Sequence, residues 1–168
     1  MFLQVLATSN DFTYTIARLV LGVTFFMHGA QKMLGWFGGY GLHAATGSLV
    51  QMGVPEPLAL VAINIEFFGG LGLILGLFTR IAALGIIANM VVAIAKVNSE
   101  NGFFMNWLGA HKGEGFEYYL LAIALALVLL VKGSGAFSID EAVTWRLRKL
   151  RKPVRRWHVA APNPSQNA

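Results

Sequence analysis

The sequence predicts an all-α integral membrane protein: a four-helix bundle that crosses the bilayer, with both termini on the cytoplasmic side. Three observations carry this. Of the 168 residues, 56% are hydrophobic and only 12% charged, and mean hydropathy is +0.61. Soluble domains average about 25% charged residues, so this chain has too little polar surface to cover a globule in water. Four stretches approach the ~20 apolar residues that a spanning helix needs. The basic residues are also gathered at one end. Seven of the thirteen lie between Arg146 and Arg156, while residues 1–145 carry six basic and eight acidic residues, a net −2. Such hydrophobicity excludes disorder for the body of the chain. With no cysteine, disulfide frameworks, Cys-ligated metals and thiol relays are excluded as well.

The first span is expected over 13–35. It is not read as a cleaved signal peptide, because no Lys or Arg precedes it and Arg18, His28 and Lys32 interrupt its apolar stretch. A glycine- and aromatic-rich loop follows, Gly-Trp-Phe-Gly-Gly-Tyr-Gly at 35–41, then a short helix over 42–52 stopped by Gly53 and Pro55. This segment reads as a cap on the outer surface. The second and third spans, 57–78 and 80–97, meet at Thr79 and Arg80, so they form a tight antiparallel hairpin. A bent continuation of one helix is the alternative. The fourth span covers 116–133 and closes a membrane domain at 1–142. Ser138 and Glu141 then make a capping-box pattern. It opens a basic helix that ends before Pro153, within a basic cytoplasmic tail at 143–168 whose last residues, 160–168, read as a disordered end.

Four spans place both termini on one side. Arg80 falls on that side with the basic tail, whereas loop 36–56 has no Lys or Arg and loop 98–115 only Lys112. The positive-inside rule puts the termini in the cytoplasm of a bacterial-type plasma (inner) membrane. Trp36, Phe37, Tyr40, Phe103, Phe104, Trp107, Tyr118 and Tyr119 form the expected outer aromatic belt, and Phe12, Tyr14, Phe78, Phe137 and Trp145 the inner one. A polybasic segment just past a span meets anionic lipid headgroups. Nucleic acid is the alternative partner for such a segment, and it is not the expected one here.

Polar residues inside the spans carry the functional signal. At 100° per residue, with Arg18 at 0°, Lys32 falls at about −40°, His28 at about −80° and Gln31 at about −140°. Phe25, Gly22 and Gly29 lie near Arg18, and the opposite arc of Ile16, Leu19, Val20, Val23, Met27, Ala30 and Leu34 is expected to face lipid. Glu66 in the second span is about nine residues from its outer end and His28 about seven from its own, so both share one layer, with Lys32 a turn above. A lone charge at mid-membrane costs ~2.5–3.5 kcal/mol on insertion scales. Pairing Glu66 with Lys32 or His28 removes much of that cost. The set is either a packed network that fixes helix register or a functional site, and function is the expected reading. Asn64 and Asn89 read as interhelical glue, with Asn64 turned about 200° from Glu66. Gly69, Gly70, Gly72 and Gly76 give the second span a smooth side for close packing, or a groove for a flat ring. His43, His111 and His158 read as solvated. No two histidines stand four apart and only His28 lies in a span, so neither a metal nor a haem is expected. Arg18 is expected to hold the bundle or to snorkel to lipid phosphate.

The stretch Arg-Leu-Val-Leu-Gly-Val-Thr-Phe-Phe-Met-His-Gly-Ala-Gln-Lys at 18–32 resembles the signature of the DoxX family of small four-helix membrane proteins. The loop at 35–41, Met-Gly-Val-Pro at 52–55, the Glu66 span and Gly-Ser-Gly-Ala-Phe-Ser-Ile-Asp at 133–140 match in order. The resemblance covers about residues 12–142 and leaves the basic tail outside. It implies a link to quinone chemistry: some similar proteins are subunits of a thiosulfate:quinone oxidoreductase, and others accompany catechol- or quinone-response systems. The related coupling of quinones to cysteine pairs does not carry over to a chain without cysteine.

Two functions follow as expectations. In the first, the protein is a subunit of a quinone-linked membrane oxidoreductase system, with a membrane quinone as cofactor and electrons from a partner redox subunit. His28, Lys32 and Glu66 would be catalytic: His28 as a proton relay, Lys32 stabilising charge on a quinone oxygen, and Glu66 orienting His28 or passing protons. Arg18, Phe25, Gln31, Gly69 and Gly70 would surround the cofactor. In the second, the chain is a non-catalytic anchor or assembly subunit that docks a partner on its outer aromatic loops, or assembles as a homo-oligomer.

Overall fold

The computed structural model describes residues 6, 8, 10–109 and 113–150. His111, Lys112, His158, the basic residues Arg151, Lys152, Arg155 and Arg156, and the expected disordered end lie outside the described residues. Among those described there are six helices and no strand: α1 (Phe12–Leu34), α2 (Gly41–Gln51), α3 (Glu56–Leu75), α4 (Thr79–Val97), α5 (Glu117–Lys132) and α6 (Ile139–Leu150). By length and composition, α3 and α4 are able to cross a membrane. Long apolar side chains such as Val20, Leu58, Leu84 and Leu121 are exposed around the outside of α1, α3, α4 and α5. Buried positions, by contrast, include Arg18, Glu66, Asn89 and Asp140.

Each helix begins and ends for local reasons. Asp11 caps α1 by accepting from the Thr13 N–H at 2.8 Å, and Gly35 closes it in a left-handed conformation. Pro57, in the first turn of α3, needs no intrahelical donor there. The α3–α4 turn, Gly76–Phe78, is one residue longer than the expected hairpin and sits earlier. Gly76 (φ 65°) ends α3 at Leu75, and Phe78 (φ 51°) starts the return, so Thr79 and Arg80 are already the first residues of α4. The backbone amides of Phe78 and Thr79 donate to the Asp140 carboxylate at 2.9 and 3.0 Å, a cap that comes from a segment sixty residues away. Ser138 Oγ accepts from the Glu141 N–H at 3.1 Å, so the capping-box serine starts α6 as expected.

The core lies where α1, α3, α4 and α5 meet, around Leu21, Phe25, Leu73, Ile86, Ala126 and Leu129. α4 packs along α5, and α1 along α3. The second contact is close. A side chain at Gly29 would run into the α3 backbone at Glu66 and Phe67, and one at Gly70 into that of α1 at Phe25 and Phe26. Gly29→Ala is therefore expected to cost about 2 kcal/mol through overpacking, read as a lower melting temperature in detergent. An unchanged melt would contradict the contact.

At the lower end, the segment before α6 is sewn to the start of α1. Thr15 Oγ1 donates to the Ala136 carbonyl at 2.7 Å, and the Gly135 N–H donates to Thr8 Oγ1 at 2.7 Å. At the upper end, α2 folds back over α1. This overturns one expectation. Ala30, placed on the outward arc of α1, is fully buried at 0% exposure, whereas Ile16, Leu19, Val20, Val23, Met27 and Leu34 on that arc are exposed.

Candidate functional site

Glu66 lies inside α3 on a π-helical turn, Ile65–Gly69. Such a turn widens the helix by one residue and recurs at functional sites. Opposite it, the last turn of α1 presents Lys32. Its Nζ donates to Glu66 Oε1 at 2.7 Å and Oε2 at 2.6 Å. The close α1–α3 approach at Gly29 brings the two helices together one turn below Lys32. The Glu66 side chain is 8% exposed and that of Lys32 34%, so the carboxylate is enclosed while the ammonium keeps an outlet towards the upper end. Asn89 of α4 completes the group. Its Nδ2 is shared between the Ala62 carbonyl and Glu66 Oε1, each at 3.4 Å.

A cavity of about 270 Å³ opens beside this group, between α3 and α4. Val61, Ile65, Ala88 and Val92 make apolar walls, Leu49 and Val54 border it from the α2 segment, and Lys32, Glu66, Asn89 and Tyr119 supply the polar lining. The arrangement suits an amphipathic molecule with a polar ring and an apolar remainder. An ammonium has three donors, and Lys32 uses two on Glu66, which leaves one for a ligand oxygen. Asn89 and Tyr119 are the members that the sequence reading did not select. Asn89 does bridge helices, as glue would, but onto the carboxylate itself.

The other expected site residues are dispersed. His28 is exposed on α1, with its ring tilted against Tyr118 at 6.4 Å between centroids. Gln31 donates to the Phe37 carbonyl at 3.2 Å and ties down the loop after α1. Phe25 is in the core and Gly70 in the α1–α3 contact, while Gly69 lines a separate apolar groove on α3 and α4. Asn64, also in that groove, donates to the Leu60 carbonyl of its own helix at 2.8 Å. Arg18 stands fourteen residues from Lys32 on the same helix, about 21 Å along its axis. It does not snorkel: at 1% exposure its guanidinium donates to the carbonyls of Leu73 (2.7 Å), Ile74 (2.9 Å) and Phe137 (3.2 Å). Among the described residues no group of three His, Asp or Glu side chains converges as a metal site would.

The DoxX family model matches residues 13–99. The chain belongs to the DoxX family. Two similar proteins extend the likeness beyond that segment. One is the "Putative oxidoreductase CatD" of Bacillus subtilis, 29% identical over 128 residues, which are 76% of this chain and 84% of that protein. The other is an "Uncharacterized protein" of Haemophilus influenzae, 33% identical over 133 residues, 74% of this chain and 85% of its own. No solved structure matches. The DoxX segment holds Arg18, His28, Lys32, Glu66 and Asn89, so the ion pair lies inside it, as does the arginine lock on Leu73 and Ile74 but not its third acceptor, Phe137. Tyr118, Tyr119 and α6 lie beyond it.

Proposed function

We propose that this DoxX-family protein is a four-span subunit of a bacterial-type inner membrane, with both termini cytoplasmic, and that it handles the head group of a membrane quinone within a quinone-linked redox system. The observation that carries the reading is the cavity between α3 and α4, with apolar walls on two outward-facing helices and Lys32, Glu66, Asn89 and Tyr119 along its lining. Exposed apolar faces on α1, α3, α4 and α5 support four spans. Arg80, Lys132, Arg146 and Lys149 at the lower end support a cytoplasmic placement for it.

Quinone reduction takes up two electrons and two protons, and the electrons are assigned to a partner redox subunit. The residues of this chain supply the rest. Lys32 offers its remaining N–H to a ring oxygen, where a fixed cation favours developing negative charge. Glu66 accepts or returns a proton at its carboxylate. His28, exposed one turn from Lys32, delivers that proton from the upper surface during reduction and returns it there during oxidation. Asn89 fixes the carboxylate from the α4 side. The apolar walls take the chain of the ligand, so entry is from the bilayer.

The test is quinone retention. Protein extracted gently from native membranes should give a reduced-minus-oxidised difference spectrum with near-stoichiometric quinone. Ala88→Trp, which fills the mouth of the cavity without touching the ion pair, should lower that content at least tenfold with an unchanged melting temperature. A flat spectrum from the unaltered protein, or full retention in Ala88→Trp, would count against the reading. Exposed Tyr40, Phe104, Trp107 and Leu108 at the upper end favour a second one, an anchor that docks a partner there. Loss of a co-purifying partner on deleting 36–56 would support it.

A further inference from the structure

A second cavity, of about 640 Å³, lies at the lower end, remote from the Lys32–Glu66 pair. Leu75 and Phe137 give it an apolar side, and its lining also includes Asn10, Glu141, Trp145 and Arg146. Two large aromatic side chains stand open beside it, Phe137 at 82% and Trp145 at 61% exposure. Phe137 has a backbone φ of 53°, a conformation that bulky residues avoid. Its carbonyl is held there by Arg18 at 3.2 Å. The backbone is thus fixed in a disfavoured state that leaves an aromatic ring uncovered. In water that is an exposed apolar patch; at a membrane interface it is an anchor.

Charge specifies the occupant. On α6, Arg146 is exposed, and the Lys149 ammonium lies 5.0 Å from the centre of the Trp145 ring. Of the two acidic residues on α6, Asp140 is buried with both carboxylate oxygens bound to the Phe78 and Thr79 amides, and Glu141, in the groove lining, leaves Arg146 and Lys149 one positive charge in excess. The helix therefore shows the membrane aromatic groups and cations together, and its position is fixed by Asp140 and by the Ser138 cap. We propose that this groove is a binding site for an anionic phospholipid, with the phosphate between Arg146 and Lys149 and an acyl chain along Leu75 and Phe137. The charge excess of Arg146 and Lys149 sets the preference for anionic over zwitterionic headgroups, because each cation near an anionic surface strengthens binding.

The full chain in neutral detergent tests this by its thermal shift on titration with phosphatidylglycerol, phosphatidylcholine of the same acyl chains, or inorganic phosphate. Half-saturation with phosphatidylglycerol should need at least tenfold less lipid than with phosphatidylcholine. Arg146→Gln with Lys149→Gln, both at exposed positions, should weaken the phosphatidylglycerol response roughly tenfold and that to phosphatidylcholine by a smaller factor. Trp145→Ala should weaken both. Equal responses to the two lipids, or an unaltered response in the double variant, would overturn the site. A full shift with inorganic phosphate alone would reduce it to a free-anion site and overturn the lipid assignment.

Discussion

Glu66→Gln is expected to lower quinone-dependent turnover at least a hundredfold, the contribution typical of a positioned proton-transfer group, while the chain still inserts and folds. Folding survives because Lys32, left without its counter-charge, has a way out: it stands in the last turn of α1 and is already 34% exposed. Its cost should be about 1–2 kcal/mol, less than for a fully buried pair. Lys32→Met is expected to be the more destabilising of the two, by about 3 kcal/mol or more, because Glu66 is 8% exposed and has no outlet. The pair Lys32→Met with Glu66→Gln removes both charges and should recover much of that loss, a coupling that a double-mutant cycle measures. Turnover above a tenth of normal in Glu66→Gln would end the proton-transfer role. Equal losses from the two single changes would contradict the asymmetry of burial.

Arg18→Met is expected to be the most damaging single substitution to stability. The guanidinium holds the carbonyls of Leu73 and Ile74 in the last turn of α3, where intrahelical partners run out, together with the carbonyl of Phe137 just before α6. Removing it deletes three charge-assisted hydrogen bonds, worth about 1.5–3 kcal/mol each before the cost of burying the charge. A net loss near 4 kcal/mol corresponds to roughly 10 °C in melting temperature for a chain of this size. Arg18→Lys should fare little better, because one ammonium cannot reproduce a planar fork that spans two segments. A melt within about 2 °C of normal for Arg18→Lys would contradict the lock. Quinone retention measured well below the melt should be unaffected, since Arg18 lies far from the cavity.

The helices were legible because apolar length and the caps are local properties. The short helix expected at 42–52 forms at Gly41–Gln51 and the one expected at 80–97 at Thr79–Val97. The Lys32–Glu66 contact was legible too, since depth along each helix can be counted and an unpaired charge there is costly. Three features were not. A regular 100° step cannot show the π turn at Glu66. Asn89 reaches the carboxylate only because α4 packs on that side of α3, and periodicity does not state which helices are neighbours. Arg18 has the residue type and depth of a ligand group, but its partners are backbone carbonyls, which leave no mark in the side-chain sequence.

In the proposed membrane topology, the Lys32–Glu66 pair also bears on how the protein would respond to voltage. Moving one elementary charge across 100 mV is worth about 2.3 kcal/mol, but two opposite charges 2.6 Å apart nearly cancel. At rest the pair therefore takes almost no energy from the electrical gradient. Once Glu66 holds a proton the same spot carries an uncompensated positive charge part-way into the field. With the upper end outside, that proton arrives from the positive side and travels down the gradient, so an energised membrane would favour loading the carboxyl and oppose its discharge outward.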